Sequence, residues 1–495
     1  MTAPEAPVTM VVTMLSPLLP ALLAPLASRY RRAYHLFSLL VAGINVAMLL
    51  ATPIADQQLF LGHALSFFFD NNAWLFALLT NMAWFIIIIY SYSYTPWHFQ
   101  ELLPHFYALM CLSMTIVTAN GYAANMITLL VFYLAGILAA LPLIRIRRSI
   151  ESYRASMLYL VQMLLPALFI LLPTVLYYQW QYGDTSFAHG INQALQHSPQ
   201  TAAVIVWGLV LGMSANLIYP FSTWLPQTQI TPAPATALLH TVAIVNTGAI
   251  VLLKFGQHVL GTSLLHDLSH EFWHTGWLIY ALGLNAVVAA WQALRTPNLK
   301  QRFSFSTISQ VSYILTAILI GTPATLLGAV LHMLSHSIAK IGLFFVAGYY
   351  NARYGTVHAG QLRPLMPHTR ILAAFIALCG LSIIGFPLLA GYYSKDLMLL
   401  AEIKDSHWAA GGFLLLGSLI NVLYILPLVR SAMRKKNPAY TFKRVPVGMA
   451  LAMGICVALI LSFSVYAVWL IHKFQPGLER ELEQLSLLPG LSATS

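Results

Sequence analysis

The chain has 495 residues, of which 59% are hydrophobic and only 8% charged, and its mean hydropathy is +0.74. That balance lies far from the soluble-domain range and marks a polytopic membrane protein. A net charge of +11 would suit a nucleic-acid partner, but the Lys and Arg sit mostly in short loops between apolar runs, where membrane topology places them, so no nucleic acid is expected.

A window of about 20 residues, the length that crosses the hydrocarbon core, gives about fourteen candidate helices along the sequence. They lie near 9–27, 35–54, 72–91, 105–119, 124–144, 157–178, 202–220, 234–254, 275–293, 304–320, 323–348, 371–395, 407–429 and 446–472. The first run has no basic residue before it and no small-residue cleavage site after it, and reads as a retained helix. Between the second and third runs, the segment 56–72 interleaves apolar residues with Gln57, Gln58 and His63 and suits a short interfacial helix. Tyr90-Ser91-Tyr92-Ser93-Tyr94 has the character of an aromatic belt. Cys111, Cys379 and Cys456 stand singly in apolar runs and offer neither a disulfide framework nor a metal knuckle.

Basic clusters at Arg29, Arg31 and Arg32, at Arg145, Arg147 and Arg148, at Arg295, Lys300 and Arg302, at Arg353, Arg363 and Arg370, and at Arg430, Arg434, Lys435 and Lys436 fall on one side if every run crosses once. The positive-inside rule then makes that side cytoplasmic and puts both termini on the other, in a plasma (inner) membrane. The tail from Lys473 to Ser495 is short, and Glu479, Glu481 and Glu483 suit a solvated helix face.

Two stretches break the helical rule in corresponding ways. Tyr219-Pro220-Phe221-Ser222-Thr223-Trp224-Leu225-Pro226, followed by Pro232 and Pro234, cannot run as one helix, because Pro removes a donor and clashes with the preceding turn. Gly385-Phe386-Pro387, followed by Gly391, does the same in the second half. Unwound backbone at membrane depth is tolerated only where protein or a hydrated cavity satisfies it, and paired breaks flank the ion sites of inverted-repeat transporters. Two unrelated proline kinks are the plainer alternative.

Between the breaks lie the costly groups. His332, His336 and Lys340 recur at i, i+4, i+8 and share one helix face; Lys395 and Asp396 follow the second break. Ionisable groups at this depth mark ion paths by default. A buried lysine changes protonation readily, and histidine titrates near neutrality, so the set suits proton transfer. The plainer readings are helix-packing histidines and a lysine that snorkels at a helix end. His332 and His336 lack a third ligand nearby, so no metal is assigned there. His240 faces the first break and either links the two halves or hydrogen-bonds an unwound carbonyl.

The motifs also resemble a family. Ser222-Thr223-Trp224-Leu225-Pro226, then Pro232-Ala233-Pro234-Ala235-Thr236-Ala237-Leu238-Leu239-His240, Ser306-Thr307-Ile308-Ser309-Gln310, Leu331-His332-Met333-Leu334-Ser335-His336 with Lys340, Gly360-Gln361-Leu362-Arg363 with Met366-Pro367, Gly385-Phe386-Pro387 and Ser394-Lys395-Asp396 occur in the order seen in the antiporter-like proton-translocating subunits. These belong to respiratory complex I, Mrp-type cation/proton antiporters and membrane-bound hydrogenases. The resemblance covers roughly residues 75–430.

It implies a fourteen-helix core with two inverted five-helix repeats: 1–104 as N-terminal helices, 105–254 as a first repeat with a degenerate ion site, 275–429 as a second with an intact one, and 446–495 as a last helix and tail. The position matching the first-half acid is Tyr133, and the first-half lysine would fall near Gly212-Met213-Ser214-Ala215-Asn216. No Lys precedes Lys254. A proton path through His240, His332, His336, Lys340, Lys395 and Asp396 is therefore expected.

No nucleotide loop, haem or iron–sulfur pattern is present, so no cofactor and no catalytic chemistry of its own are expected. An ion gradient or a partner must supply the energy. With one half emptied, the chain is similar to the membrane subunit of DAB-type inorganic carbon accumulation complexes, which implies a large soluble or peripheral zinc-containing partner on the cytoplasmic side. A cation/proton antiporter or hydrogenase-type pump subunit is the runner-up, and a non-conducting membrane anchor the third reading.

Overall fold

The structure, a computed structural model, describes residues 5–53, 56–61, 65–97, 102–183, 186–214, 217–219, 221–243, 245–355, 357–362, 365–366, 369–432 and 444–486. Its N-terminal helices are α1 (Glu5–Leu15), α2 (Leu18–Leu22), α3 (Arg31–Ala51), α4 (Asn71–Tyr94) and α5 (Leu103–Gly121). Pro17 and Pro20 explain why the first apolar run is two short helices and not one span. Asp70 ends the loop before α4 by accepting from the Ala73 amide at 2.9 Å, a side-chain N-cap.

Between α3 and α4 the expected interfacial helix is absent. Residues Gln57–Leu61 (β1) and Leu65–Phe69 (β2) pair as an antiparallel hairpin. The run Phe67, Phe68, Phe69 favours extended backbone, and β2 has a further edge to satisfy: Phe68 N donates to Tyr122 O at 2.7 Å and Ala124 N to Ser66 O at 2.9 Å. Phe67 and Phe69 are fully buried against Tyr122 and the N-terminal helices.

Next come α6 (Met126–Ile144), α7 (Ile150–Pro166), α8 (Leu172–Tyr182), α9 (Gln193–Gln196) and α10 (Pro199–Leu209), then the short α11 (Trp224–Gln227), α12 (Ala233–Leu238), α13 (Val245–Phe255) and α14 (Thr262–His270). Across the first break the described residues form short pieces and no single helix: Phe221–Thr223 is a 3-10 turn, α11 has four residues, Thr228–Ile230 is another 3-10 turn, and α12 begins after Pro232, with Pro234 in its first turn, where a missing N–H costs no bond. A further irregularity follows in the π-helical turn Leu239–Ala243, which carries His240. Pro220, Ala215 and Asn216 lie outside the described residues.

The second half contains α15 (Trp277–Arg295), α16 (Leu299–Ile320), α17 (Pro323–Tyr354), α18 (Ala359–Leu362), α19 (Arg370–Ile384), α20 (Ala390–Lys404), α21 (Trp408–Ala432) and α22 (Val447–Ser486). The expected run 371–395 is two half-helices, α19 and α20, joined by a turn in which Gly385 has φ +90° and Leu388 φ +73°. Left-handed backbone favours glycine at the first of these. Gly391 is required for a different reason: a Cβ there would collide with the Ser382 carbonyl oxygen of α19. α20 continues to Lys404, beyond the span read from sequence.

Among the described residues ten helices are long and apolar enough to cross a membrane, and 8–22, 199–213 and 370–384 form shorter apolar helices. The protein is thus a helical, multi-span membrane protein, with one hairpin among the described residues. Its centre is α12–α13, α16 and α17, almost wholly buried. Lipid rewards the opposite patterning from water, so the centre is where polar groups collect: Ser304, Ser306, Thr307, Ser309, Gln310 and Ser312 of α16 are all buried. Arg31 reaches the Tyr92 carbonyl, and Asn298 bridges His358, so the basic helix ends share one face. The hairpin, α14 and the α20–α21 turn lie at the opposite, far face.

Because Gly391 sits against backbone, Gly391→Ala is expected to lower stability by about 1–3 kcal/mol, whereas Gly412→Ala, with nothing within 4 Å of the added carbon, is expected to be near neutral. Denaturant midpoints of the purified variants distinguish the two.

Candidate functional site: a buried polar line through the second half

α17 places His332, His336 and Lys340 on one buried face, as its i, i+4 spacing requires. Lys340 is fully buried and its Nζ donates to the Phe303 carbonyl at 2.9 Å, 5.9 Å above the Phe303 ring centroid. No carboxylate among the described residues touches it. His336 lies 6.1 Å from His332, ring centroid to centroid and nearly parallel, and neither of its ring nitrogens has a protein partner among the described residues. A buried imidazole unpaired on both sides costs about 1–3 kcal/mol. Such a ring is bridged by water or stands ready to pair with a moving group. His332 is held on both sides, Nδ1 2.9 Å from Ser394 Oγ and Nε2 3.1 Å from Gln310 Oε1.

The helix break supplies the next position. Lys395 Nζ donates to the Ile383 carbonyl at 2.8 Å, the Ile384 carbonyl at 3.4 Å and Ser418 Oγ at 2.9 Å. Those carbonyls are orphans of the α19 C-terminus, the negative end of that helix, so the break creates the lysine's site. The snorkelling reading therefore fails, since Lys395 is 5% exposed. Asp396 is not gathered into this line: it is half-buried and makes no ion pair or hydrogen bond with another described residue.

The buried acid of this half is Glu402, 1% exposed, with Oε2 unpartnered among the described residues. Sequence reading missed it because the span was ended at 395; starting a half-helix at the Gly385–Pro387 break would have carried it inside.

Toward the basic face, His240 is 1% exposed on its π turn. It accepts from the Gln229 amide at 2.7 Å, stacks on Trp224 and contacts Phe344 of α17. Beside it, Lys300, which the charge pattern places in a loop, is 3% exposed and donates to Gln229 O at 2.6 Å and Thr231 O at 2.7 Å. The line thus runs Lys300, His240, Lys340, His336, His332, Lys395, with Glu402 seven residues further along α20.

The first half is not empty of charge. Lys254, 2% exposed, lies 3.6 Å from Asp70 and donates to Gly121 O and Ala123 O, while His258 Nε2 is 2.7 Å from the other Asp70 oxygen. Sequence reading missed this group because the hairpin that brings Asp70 inward was taken for an interfacial helix. Tyr133 is buried, its hydroxyl donating to Met213 O at 3.1 Å.

No acid or cysteine among the described residues joins His332 and His336; the one convergent group of three metal-type ligands among them is His266, His270 and Asp405 at the far face. There, burial alone would push the Asp405 carboxyl up, but hydrogen bonds from His266 and His270 hold it down at about 2, and the same contact pushes His266 up.

A multi-span protein with cationic and imidazole side chains aligned through its buried centre, and a helix broken beside them, has the architecture of an ion-translocating membrane component. Residues 123–421 match the family described as NADH:quinone oxidoreductase/Mrp antiporter, TM, and the chain belongs to it. It is 27% identical over 346 residues to a probable K(+)/H(+) antiporter subunit of Rhizobium meliloti (strain 1021), covering 68% of this chain and 33% of that protein. Over 342 residues it is 29% identical to NADH-quinone oxidoreductase subunit N of Desulforudis audaxviator (strain MP104C), covering 67% and 66%. The chain therefore spans between a third and two thirds of these relatives. Its fold matches a chain of the membrane-bound sulfane sulfur reductase (MBS), an archaeal respiratory membrane complex, with TM-score 0.77 at 21% identity, covering 93% of this chain and 94% of that one. A chain of the Mrp complex from Dietzia sp. DQ12-45-1b gives 0.70 at 21% identity, covering 97% and 57%.

The Asp70–Lys254 pair yields a stability test. Asp70→Ala removes the α4 cap and strands Lys254, and is expected to cost about 3–5 kcal/mol. Adding Lys254→Met to Asp70→Ala is expected to recover the part of the loss due to the stranded lysine and not the part due to the cap, read as unfolding midpoints of single and double variants.

Proposed function

We propose that the chain is a proton-translocating membrane subunit that couples a proton gradient to a partner protein. The observation that carries this reading is the set of seven buried ionisable side chains from Lys300 to Glu402, five of them on the spans most fully buried inside the protein and Lys395 and Glu402 on α20. Each lysine rests on backbone carbonyls and not on a carboxylate, so a proton can leave one without unpairing an acid. The imidazoles between them carry protons on either nitrogen. A charge arriving at one lysine disfavours charge on the next, which gives electrostatic coupling along the line in a low-dielectric interior.

In this reading the basic face is cytoplasmic, both termini are on the other side of an inner membrane, and the fold comprises about fourteen spans in two inverted repeats. No cofactor takes part in the proton transfer of this reading, and the chain carries out no covalent chemistry. Within it, the finer assignment is inorganic carbon accumulation with a soluble zinc-containing partner, supported by the replacement of the first-half acid by Tyr133. The second reading, a cation/proton antiporter or complex I-type component, is favoured by the names of the relatives matched.

Lys340→Ala and Glu402→Gln are expected to lower proton flux into proteoliposomes at least tenfold, read with a pH-sensitive dye, while the protein still assembles. Asp396→Asn is expected to have a smaller effect than either; equal flux in all three variants and the unmodified protein would leave only a membrane anchor. Copurification then separates the finer readings: one large zinc-binding soluble protein supports carbon accumulation, and a set of antiporter or hydrogenase subunits overturns it.

A further inference from the structure

We infer that the far face carries a binding site for one transition-metal dication of the zinc class, built from His266, His270 and Asp405. His266 and His270 are spaced i, i+4 on α14, which turns both rings to one side. Asp405 comes from the turn after α20, so the site joins two elements about 140 residues apart in sequence. The three ligand atoms lie within 4.8 Å of one another.

Their individual separations fit a metal better than a simple ion pair. His266 Nε2 is 3.3 Å from His270 Nε2, and His270 Nε2 is 3.5 Å from Asp405 Oδ1. Ligands about 2.0–2.1 Å from a tetrahedral zinc stand about 3.3 Å apart. His266 Nε2 lies closer to Asp405 Oδ1, at 2.8 Å, the hydrogen bond that a metal would replace. One ring nitrogen cannot donate and accept at once, so His266 Nε2 serves either Asp405 Oδ1 or His270 Nε2, whereas an ion between the three would satisfy all of them.

Two further features belong to a metal centre. The remaining nitrogen of His266, Nδ1, is 3.7 Å from Asp267 Oδ1, longer than a hydrogen bond but close enough for that carboxylate to favour a ligating ring electrostatically. Asp405 Oδ2 is buried and without a hydrogen-bond partner among the described residues, with His407 Nε2 3.4 Å away. His407, stacked on His270 and 3.1 Å from Ser269 Oγ, walls the site without joining its ligand group. Nitrogen donors with one carboxylate select borderline ions over calcium or magnesium, which take all-oxygen shells.

A bound ion would clamp α14 to the α20–α21 turn, one helical turn beyond Glu402. The test uses the full-length, tag-free chain in detergent, stripped with chelator and titrated with Zn2+ by calorimetry. One equivalent is expected to bind, with a rise in thermal midpoint. His270→Ala, at a half-exposed position, and Asp405→Asn are each expected to weaken binding by more than about tenfold and to abolish the midpoint shift. His274→Ala, on the neighbouring turn, is expected to leave both unchanged. Unaltered Zn2+ affinity in His270→Ala, no binding by the unmodified chain, or equal binding of Ca2+ would each overturn the site.

Discussion

Four lysines are buried among the described residues of this protein, and only one of them touches a carboxylate. A bare ammonium in a membrane interior costs several kcal/mol, so the fold must supply something else, and it supplies backbone. Lys254 rests on the carbonyls of Gly121 and Ala123 at the end of α5, Lys300 on those of Gln229 and Thr231, Lys395 on those of Ile383 and Ile384 at the end of α19, and Lys340 on Phe303. Regular helices have few carbonyls to spare. A helix end or irregular turn placed at depth can therefore serve a cation, and the interruptions are the condition on which most of these charges can be buried.

That condition explains the punctuation of the chain. Gly385 takes the left-handed conformation that ends α19 and frees its last carbonyls; Gly391 lets the first turn of α20 lie against Ser382, which brings Lys395 back over them. On the other side of the centre, the loop at Gln229–Thr231 does the same for Lys300. The two sites are bridged by α17, whose His332 is tied to α16 through Gln310 and to α20 through Ser394.

Much of this was legible in the sequence because depth and periodicity are one-dimensional properties. His332, His336 and Lys340 repeat every four residues, and Gly385-Phe386-Pro387 can hardly be continuous helix. What escaped depends on where the chain goes after an interruption. Glu402 was lost by ending a span at 395, and Asp70 by taking aromatic strand residues for an interfacial helix. Lys300 read as a loop charge because a positive-inside count cannot tell a cation at the surface from one folded inward. The far-face ligands were separable only by proximity, His266 and His270 on one element and Asp405 on another.

The two buried acids then differ in a way that follows from their partners. Asp70 caps α4, pairs with Lys254 and accepts from His258, so a change in its charge would undo a helix start and strand a lysine together. Glu402 has no such duties: its Oε2 is unpartnered among the described residues and its nearest charged line, through Lys395, is held by carbonyls. A carboxylate with structural obligations is a fixed charge, and one without them can follow the charge of its neighbours. The asymmetry between the halves thus lies less in whether ionisable groups are present than in whether the fold leaves them free to change.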